Sequence, residues 1–179
     1  MSIFKNNLLD FGEDIVLPFT NEWKKTYAYA IKKIEEHNKN CEKLKFQLNQ
    51  ILNVVIKVGE AYEDIVLKAT MLYFLAKNKL VSVSELQQSY SPLLVGNIQV
   101  LLNDLNSTAL DEVFLNKEYA YLNKIKLAEL IVLLHDAQNN QIVNKIKLLT
   151  QVDAIIKKYK NKTHKKLMAL LIETRNKTN

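Results

Sequence analysis

The residues best suited to chemistry form one adjacent pair, His135 and Asp136, at the end of a strongly apolar segment that also holds Glu129. Imidazole nitrogen and carboxylate oxygen are common metal ligands. Adjacent side chains on a helix point about 100° apart, so this pair needs two or three further ligands from other helices to hold one ion. We expect a polar rim at the end of a buried helix, and a metal site that includes this pair is the alternative.

The other reactive side chains do not predict catalysis. Cys41 is the single cysteine, which excludes a disulfide within the chain and a cysteine-rich metal site. Lysines nearby could lower the pKa of its thiol, but no base is assigned to it, and we expect it to be inert. His37 is predicted at a helix end and His164 in a basic segment. The sequence contains no phosphate-binding glycine loop, nucleophile elbow or His-Glu-x-x-His motif.

The positive charge is concentrated near one end of the chain. The net charge is +6, whereas residues 157–179 carry eight basic residues and one acid, Glu173. We expect a solvated helical face or a mobile end. Clustered lysines also attract polyanions, so an unrelated helical adaptor that docks on nucleic acid or an acidic protein is a second alternative. Tyr159 is the one aromatic residue among these lysines, which gives little support to base stacking.

Long helices with short connections must position these residues. The 179 residues include 3 Gly and 2 Pro, and 48% are hydrophobic. Scarce helix breakers among abundant Leu, Ile, Lys and Glu favour a single all-α domain of seven or eight helices over residues 21–179, preceded by an N-terminal extension of residues 1–20. No apolar run reaches the ~18–20 residues that span a bilayer, and acids occupy the N-terminus where a signal peptide would be basic, so we expect a cytoplasmic protein.

Periodicity and capping signals divide this domain. Asn21 is a candidate cap for the first helix, Gly59 is a candidate C-cap, Ser82 and Glu85 form a capping box, and Pro92 opens a helix. The third helix is apolar around most of its circumference and is predicted to be central. The predicted helices cover 21–38, 42–59, 62–77, 82–91, 92–105, 118–138, 141–160 and 164–175, and 106–116 is predicted to be a loop with a short helical piece.

The segment "MLYFLAKNKLVSVSEL" (71–86) resembles part of the HD-superfamily hydrolase domains of the RelA/SpoT, or stringent-response, type. There a buried helix ends in paired apolar residues and His-Asp, followed by Glu-Asp and the start of the next helix. Tyr73 and Phe74 stand at the His-Asp positions, and Lys77 and Asn78 stand at the Glu-Asp positions. The segment looks closer to the degenerate hydrolase-like domain of the family's long synthetases, which also lacks His-Asp.

A second block, "NKIKLAELIVLLHD" (123–136), is similar to the family's K-L-A-D helix. It starts that motif at Lys126 and puts Glu129 at the position of a metal-binding Asp. Leu48 falls roughly where the first metal-binding His stands. The resemblance implies an HD-like helical bundle from which the ligands of a divalent ion, commonly manganese, are missing. Leucine and phenylalanine offer no ligand atom, and a phenol of pKa ~10 is a poor one.

The resemblance therefore implies a stand-alone pseudoenzyme. The active relatives hydrolyse the 3′-pyrophosphate of (p)ppGpp, so this phosphohydrolase-like domain is expected to act in binding or regulation linked to that signal, without a cofactor. Its partner would be a regulatory protein or a nucleotide ligand, and neither choice is excluded. The residues that could contact a ligand are Lys126, Glu129, His135 and Asp136. The alternative that the resemblance implies is a metal-dependent phosphohydrolase that kept its activity with altered ligands such as His135, Asp136 and Glu129, and manganese would be required only in that case.

Overall fold

The structure, a computed structural model, describes residues 22–37, 40–103, 107–139 and 144–178. Within these ranges the chain forms nine α-helices, one 3₁₀ turn and no strand, which confirms the predicted all-α bundle. The helices are α1 (Glu22–Glu35), α2 (Cys41–Lys57), α3 (Asp64–Lys77), α4 (Val83–Ser89), α5 (Pro92–Leu102), α6 (Ser107–Leu115), α7 (Ala120–Asn139), α8 (Lys145–Tyr159) and α9 (Lys165–Asn176).

One element differs from the prediction. Residues 106–116 were expected to be mainly a loop, whereas α6 occupies most of that stretch. Asn, Ser and Thr at its start favour turns when considered alone, but Val113 and Phe114 are buried, and their packing stabilises the helix. The predicted extension, the Asn21 cap and the predicted helix ends at 38, 104–105 and 141–143 lie outside the described residues.

Two helices form the centre of the bundle. Helix α3 packs against α1, α2, α5 and α7, and α7 also packs against α2, α6, α8 and α9. All residues from Ala69 to Leu75 in α3 are buried, as expected for a helix that is apolar on every side. None of the helices in the described ranges is long and apolar enough to cross a membrane.

The predicted capping box opens α4. The Ser82 hydroxyl accepts a hydrogen bond from the backbone N–H of Glu85 at 3.1 Å. The Glu85 carboxylate in turn accepts from the backbone of Ser82, and it also pairs with Lys33 at 2.7 Å and accepts from the Tyr29 hydroxyl at 3.1 Å. Glu85 therefore links α4 to α1 as well as starting α4. Pro92 opens α5 as predicted, with Ser91 as the cap.

Gly59 is required for space and not for the C-cap itself. The C-cap of α2 is Val58, one residue earlier than predicted, and the left-handed conformation belongs to Glu60, with φ 50°. A Cβ on Gly59 would lie 2.5 Å from the carbonyl oxygen of Val55 and 3.3 Å from the Leu167 side chain of α9. Residue 59 therefore fits against the last turn of α2 because it has no side chain, and Leu167 of α9 packs close to it.

His164 caps α9, and this predicts a pH dependence. Its Nδ1 accepts a hydrogen bond from the backbone N–H of Leu167 at 3.4 Å. Burial, and next the positive charge of Lys124, lower the pKa of His164 below its usual 6.5. Because the unfolded state takes up this proton first, the contribution of the cap is complete above about pH 6.5 and decreases as the pH falls toward the folded-state pKa.

We expect His164→Asn to remove this dependence, because Asn caps helices without titrating. The measurement is the urea midpoint of both proteins from pH 7.5 to 5. The wild-type midpoint should fall relative to the variant's as the pH decreases, by an amount that corresponds to about 1 kcal/mol or less. Parallel midpoints over the whole range would contradict the role of His164.

Candidate functional site

The candidate site lies where α2, α3 and α7 meet, and its central contact joins α3 to α7. The Tyr73 hydroxyl donates a hydrogen bond to Oε2 of Glu129 at 2.9 Å. Both residues are buried, with 2% and 4% of their surface exposed. A buried carboxylate needs compensating charge as well as hydrogen bonds.

Two lysines supply that charge. Lys126, one turn earlier on α7, places Nζ 2.9 Å from Oε2 of Glu129. Lys77, at the end of α3, places Nζ 2.5 Å from Oε1. The side chain of Lys126 is 1% exposed and that of Lys77 is 37% exposed, so one cation is enclosed while the other reaches solvent.

The phenol of Tyr73 joins the two ammonium groups. Its oxygen lies 3.3 Å from Nζ of Lys126 and 3.2 Å from Nζ of Lys77, and it accepts hydrogen bonds from both. Both Nζ atoms also lie within 6 Å of the ring centroid, at 5.8 and 5.6 Å, a range in which a cation is attracted to an aromatic ring. The Tyr73 hydroxyl thus hydrogen-bonds to the Glu129 carboxylate and to both lysine ammonium groups.

The carboxylate is held in its charged form. Burial by itself would raise the pKa of Glu129, but the charges and hydrogen bonds of Lys126 and Lys77 outweigh it and lower the pKa below its usual value. At neutral pH the group therefore carries no proton to donate as a general acid. Its two oxygens are bonded to two ammonium groups and a phenol, so they are poorly available to a metal ion.

A small cavity adjoins this network. Its volume is about 80 Å³. Small-molecule pockets commonly measure about 300–1,000 Å³, so the cavity can hold water but not a nucleotide. It is lined by Gln47, Ile51, Phe74, Lys77, Asn78, Glu129, Val132 and Leu133.

The structure brings most of the predicted site positions together. Tyr73, Lys77, Lys126 and Glu129 form one network, and Phe74 and Asn78 border the cavity. The amide of Asn78 also donates to the backbone oxygen of Phe74 at 2.9 Å, which satisfies a carbonyl at the end of α3. Leu48, on α2, is completely buried, and its neighbours Gln47 and Ile51 are the α2 residues that line the cavity.

The other predicted pair lies apart from the cavity wall. Asp136 accepts a hydrogen bond from Nε2 of Gln47 at 2.6 Å, which ties the end of α7 to α2. His135 is half-buried, and burial lowers its pKa, partly offset by the charge of Asp136. Neither residue is among those lining the cavity beside Glu129. Among the described residues no group of three or more His, Cys, Asp and Glu side chains could hold a metal ion.

Gln47 is the site residue that sequence reasoning missed. It lines the cavity and binds Asp136. The available signal was its place next to Leu48, the position that the resemblance had already singled out. Cys41, predicted to be inert, is half-buried, and its sulfur lies 3.8 Å from a carboxylate oxygen of Glu42.

Comparison of the chain with protein-family models, curated proteins and solved structures found no match in any of the three. The resemblance to RelA/SpoT-type HD domains therefore stays a prediction made from the residues. The geometry adds an independent physical description: a buried carboxylate, two ammonium groups and a phenol, beside a cavity too small for a nucleotide.

Proposed function

We propose that this chain is a degenerate HD-like domain of the RelA/SpoT type, a cytoplasmic protein that does not hydrolyse (p)ppGpp and acts by binding in regulation linked to that signal. One observation carries the proposal. The resemblance pairs position 73 with position 129 as ligands of one ion, although they lie 56 residues apart. Their side chains are in hydrogen-bond contact at 2.9 Å, which is the proximity that the resemblance requires of these two positions.

The chemistry of the cluster supports the absence of catalysis. The family's ion needs several His and Asp ligands, and here the one buried carboxylate is paired with Lys77 and Lys126. A divalent cation placed beside Glu129 would meet two like charges and a phenol that is a weak ligand. The ammonium groups supply the positive charge that an ion supplies in the resembling enzymes.

The dimensions of the site point to recognition elsewhere on the domain. A cavity of about 80 Å³ cannot enclose a guanosine nucleotide. Phe74 and Tyr73 add bulk where an active site requires open space. The proposed binding function thus uses the surface of the bundle, and the filled site holds α3 and α7 together.

Metal analysis and a hydrolysis assay test the catalytic part of the proposal. The protein is incubated with manganese, desalted and analysed for bound metal, and is then assayed with ppGpp and manganese. We expect metal well below one ion per chain and no release of pyrophosphate. One bound ion per chain would overturn the proposal, and turnover that His135→Ala abolishes would overturn it and establish the altered-ligand hydrolase. Turnover that persists unchanged in His135→Ala and Asp136→Ala is the behaviour of a contaminating hydrolase. The assay is then repeated with protein purified by a second route, and turnover that persists there also overturns the proposal.

The link to the signal is tested by calorimetry. The protein is titrated with ppGpp and, as the matched control, with GDP, which lacks the 3′-pyrophosphate. We expect saturable binding of ppGpp that exceeds binding of GDP, with the nucleotide recovered intact afterwards. Equal binding of ppGpp and GDP, or binding of neither, would contradict the link to (p)ppGpp. It would not bear on the absence of hydrolysis, which the first assay tests separately.

A further inference from the structure

Four lysines surround the turn between α8 and α9. Lys157 lies in the last turn of α8, Lys160 is its C-cap, Lys162 lies in the turn, and Lys165 begins α9. All four are exposed, and none has an ion-pair partner within the described part of the chain. We name these four residues the basic corner.

The acids near the basic corner are already neutralised. A groove of about 400 Å³ beside it is lined by Asp153 together with Ile156, Lys157, Lys158, Lys160, Asn161 and Lys162. Both oxygens of Asp153 accept hydrogen bonds from Arg175 at 2.8 Å. Lys158 pairs with Asp111 of α6 at 2.8 Å. The groove therefore presents the positive charge of Lys157, Lys160 and Lys162 without a free acid in its lining, and Lys165 follows at the start of α9.

The basic corner stands on a packed scaffold. Tyr159 is buried, stacks on Phe114 with ring centroids 4.6 Å apart, and donates a hydrogen bond to Asp111 at 2.7 Å. The Arg175–Asp153 pair fastens α9 to α8 in the bidentate geometry that favours specificity. The expected solvated face is thus present on packed helices, and three of its lysines, Lys157, Lys160 and Lys162, line one groove.

We propose that the basic corner binds the phosphate backbone of double-stranded nucleic acid without reading its sequence. Clustered lysines neutralise phosphates and release counterions, which supplies sequence-independent affinity. Single strands would also need exposed aromatic rings for stacking, and Tyr159 is 2% exposed. This makes the duplex the better partner for the basic corner.

Two other classes of partner fit the basic corner less well. Membrane binding would need apolar side chains to insert, but the exposed Ile146 lies eleven residues from Lys157, roughly 16 Å along α8. A protein partner would need an aromatic or apolar anchor in the groove, and Ile156, half-buried, is the apolar residue that lines it.

Fluorescence anisotropy with a short labelled DNA duplex of random sequence tests the proposal. Four phosphate contacts predict a slope of log affinity against log salt of about −3.6. Affinity should therefore fall on the order of a hundredfold between about 50 and 200 mM salt. A duplex of different sequence should bind equally, and the unlabelled single strand should compete less well than the duplex.

The decisive variant replaces the four lysines of the basic corner with glutamine. A matched control replaces Lys24, Lys32, Lys43 and Lys79, four exposed lysines on or beside α1, α2 and α3. Both variants lower the net charge by the same four units, so non-specific attraction changes equally. We expect the corner variant to lose about tenfold or more in duplex affinity at low salt and the control to lose less than about threefold.

Several outcomes would overturn the proposal. These are equal losses in the two variants, no duplex binding by the wild type, tighter binding of single strands, or binding to phosphatidylserine vesicles without binding to duplex. Circular dichroism of each variant verifies the fold, which should persist because the replaced side chains are exposed. If the corner variant nevertheless unfolds, two measurements on the wild type test the proposal: the salt dependence of its affinity for the duplex and its binding to phosphatidylserine vesicles.

Discussion

Glu129→Gln is expected to lower the free energy of unfolding by about 3–5 kcal/mol, the cost of removing one partner from a buried ion pair. The substitution keeps the size of the side chain and an oxygen that can accept from Tyr73. It removes the negative charge that compensates Lys126, which is 1% exposed and cannot reach solvent. Urea unfolding followed by circular dichroism measures the loss as a lower midpoint with an unchanged slope.

Glu173→Gln is the matched control for this substitution. Glu173 also pairs with a lysine on the same helix, Lys177, but both side chains are at least 60% exposed. Exposed pairs contribute little because water screens them, and we expect the midpoint to stay unchanged. Equal behaviour of the two variants would show that burial does not strengthen the Glu129 network.

Glu129→Gln should also alter how the stability of the protein responds to acid. Because the pKa of Glu129 is lowered in the folded protein, its contribution is complete above the unfolded value of about 4.3 and is lost as the pH falls toward the folded pKa. The stability of the wild type should therefore decrease more steeply below about pH 4.3 than that of Glu129→Gln. A constant difference between the two proteins from pH 7 to 3 would contradict the lowered pKa.

Gly59→Ala is expected to destabilise the protein by about 1–3 kcal/mol, as overpacking of a filled interior does. The new Cβ would lie 2.5 Å from the backbone oxygen of Val55, and a backbone atom cannot rotate away as a flexible side chain can. The end of α2 must therefore move, and with it the contact to Leu167 of α9. Thermal and urea unfolding measure the effect.

Gly96→Ala provides the opposite control. Gly96 lies within α5, and a Cβ added there meets nothing within 4 Å. Alanine restricts the unfolded chain and favours the helix, so we expect a gain of about 0.5–1 kcal/mol. If Gly59→Ala also stabilised the protein, the close approach of residue 59 to the Val55 carbonyl would be wrong.

Much of the helical architecture is predictable because local signals carry it. The Ser82–Glu85 box and Pro92 locate the starts of α4 and α5, and the apolar run in α3 identifies the central helix. The extent of α6 was underestimated, with only a short helical piece predicted there, because its burial depends on distant partners such as Tyr159, which stacks on Phe114. Local propensity does not contain that contact.

The composition of the candidate site is only partly accessible from sequence. The resemblance selects Tyr73 and Glu129, but it does not show that Lys77 and Lys126 converge on one carboxylate. Lysine is usually exposed, and nothing local distinguishes Lys126 from its neighbour Lys124. Whether Lys77 and Lys126 both reach Glu129 depends on how α3 and α7 are rotated toward each other. A helix that is apolar on all sides does not specify that rotation.

That rotation gives the polar network a further consequence. Seven consecutive buried residues, Ala69 to Leu75, surround α3 with the interior on every side, so its apolar pattern alone does not specify which side faces α7. Turning it by one residue, however, would carry the Tyr73 hydroxyl and the Lys77 ammonium away from Glu129, and the buried carboxylate would lose a hydrogen bond and one of its two compensating charges. The contacts of Tyr73 and Lys77 with Glu129 therefore specify the rotation of α3 about its own axis.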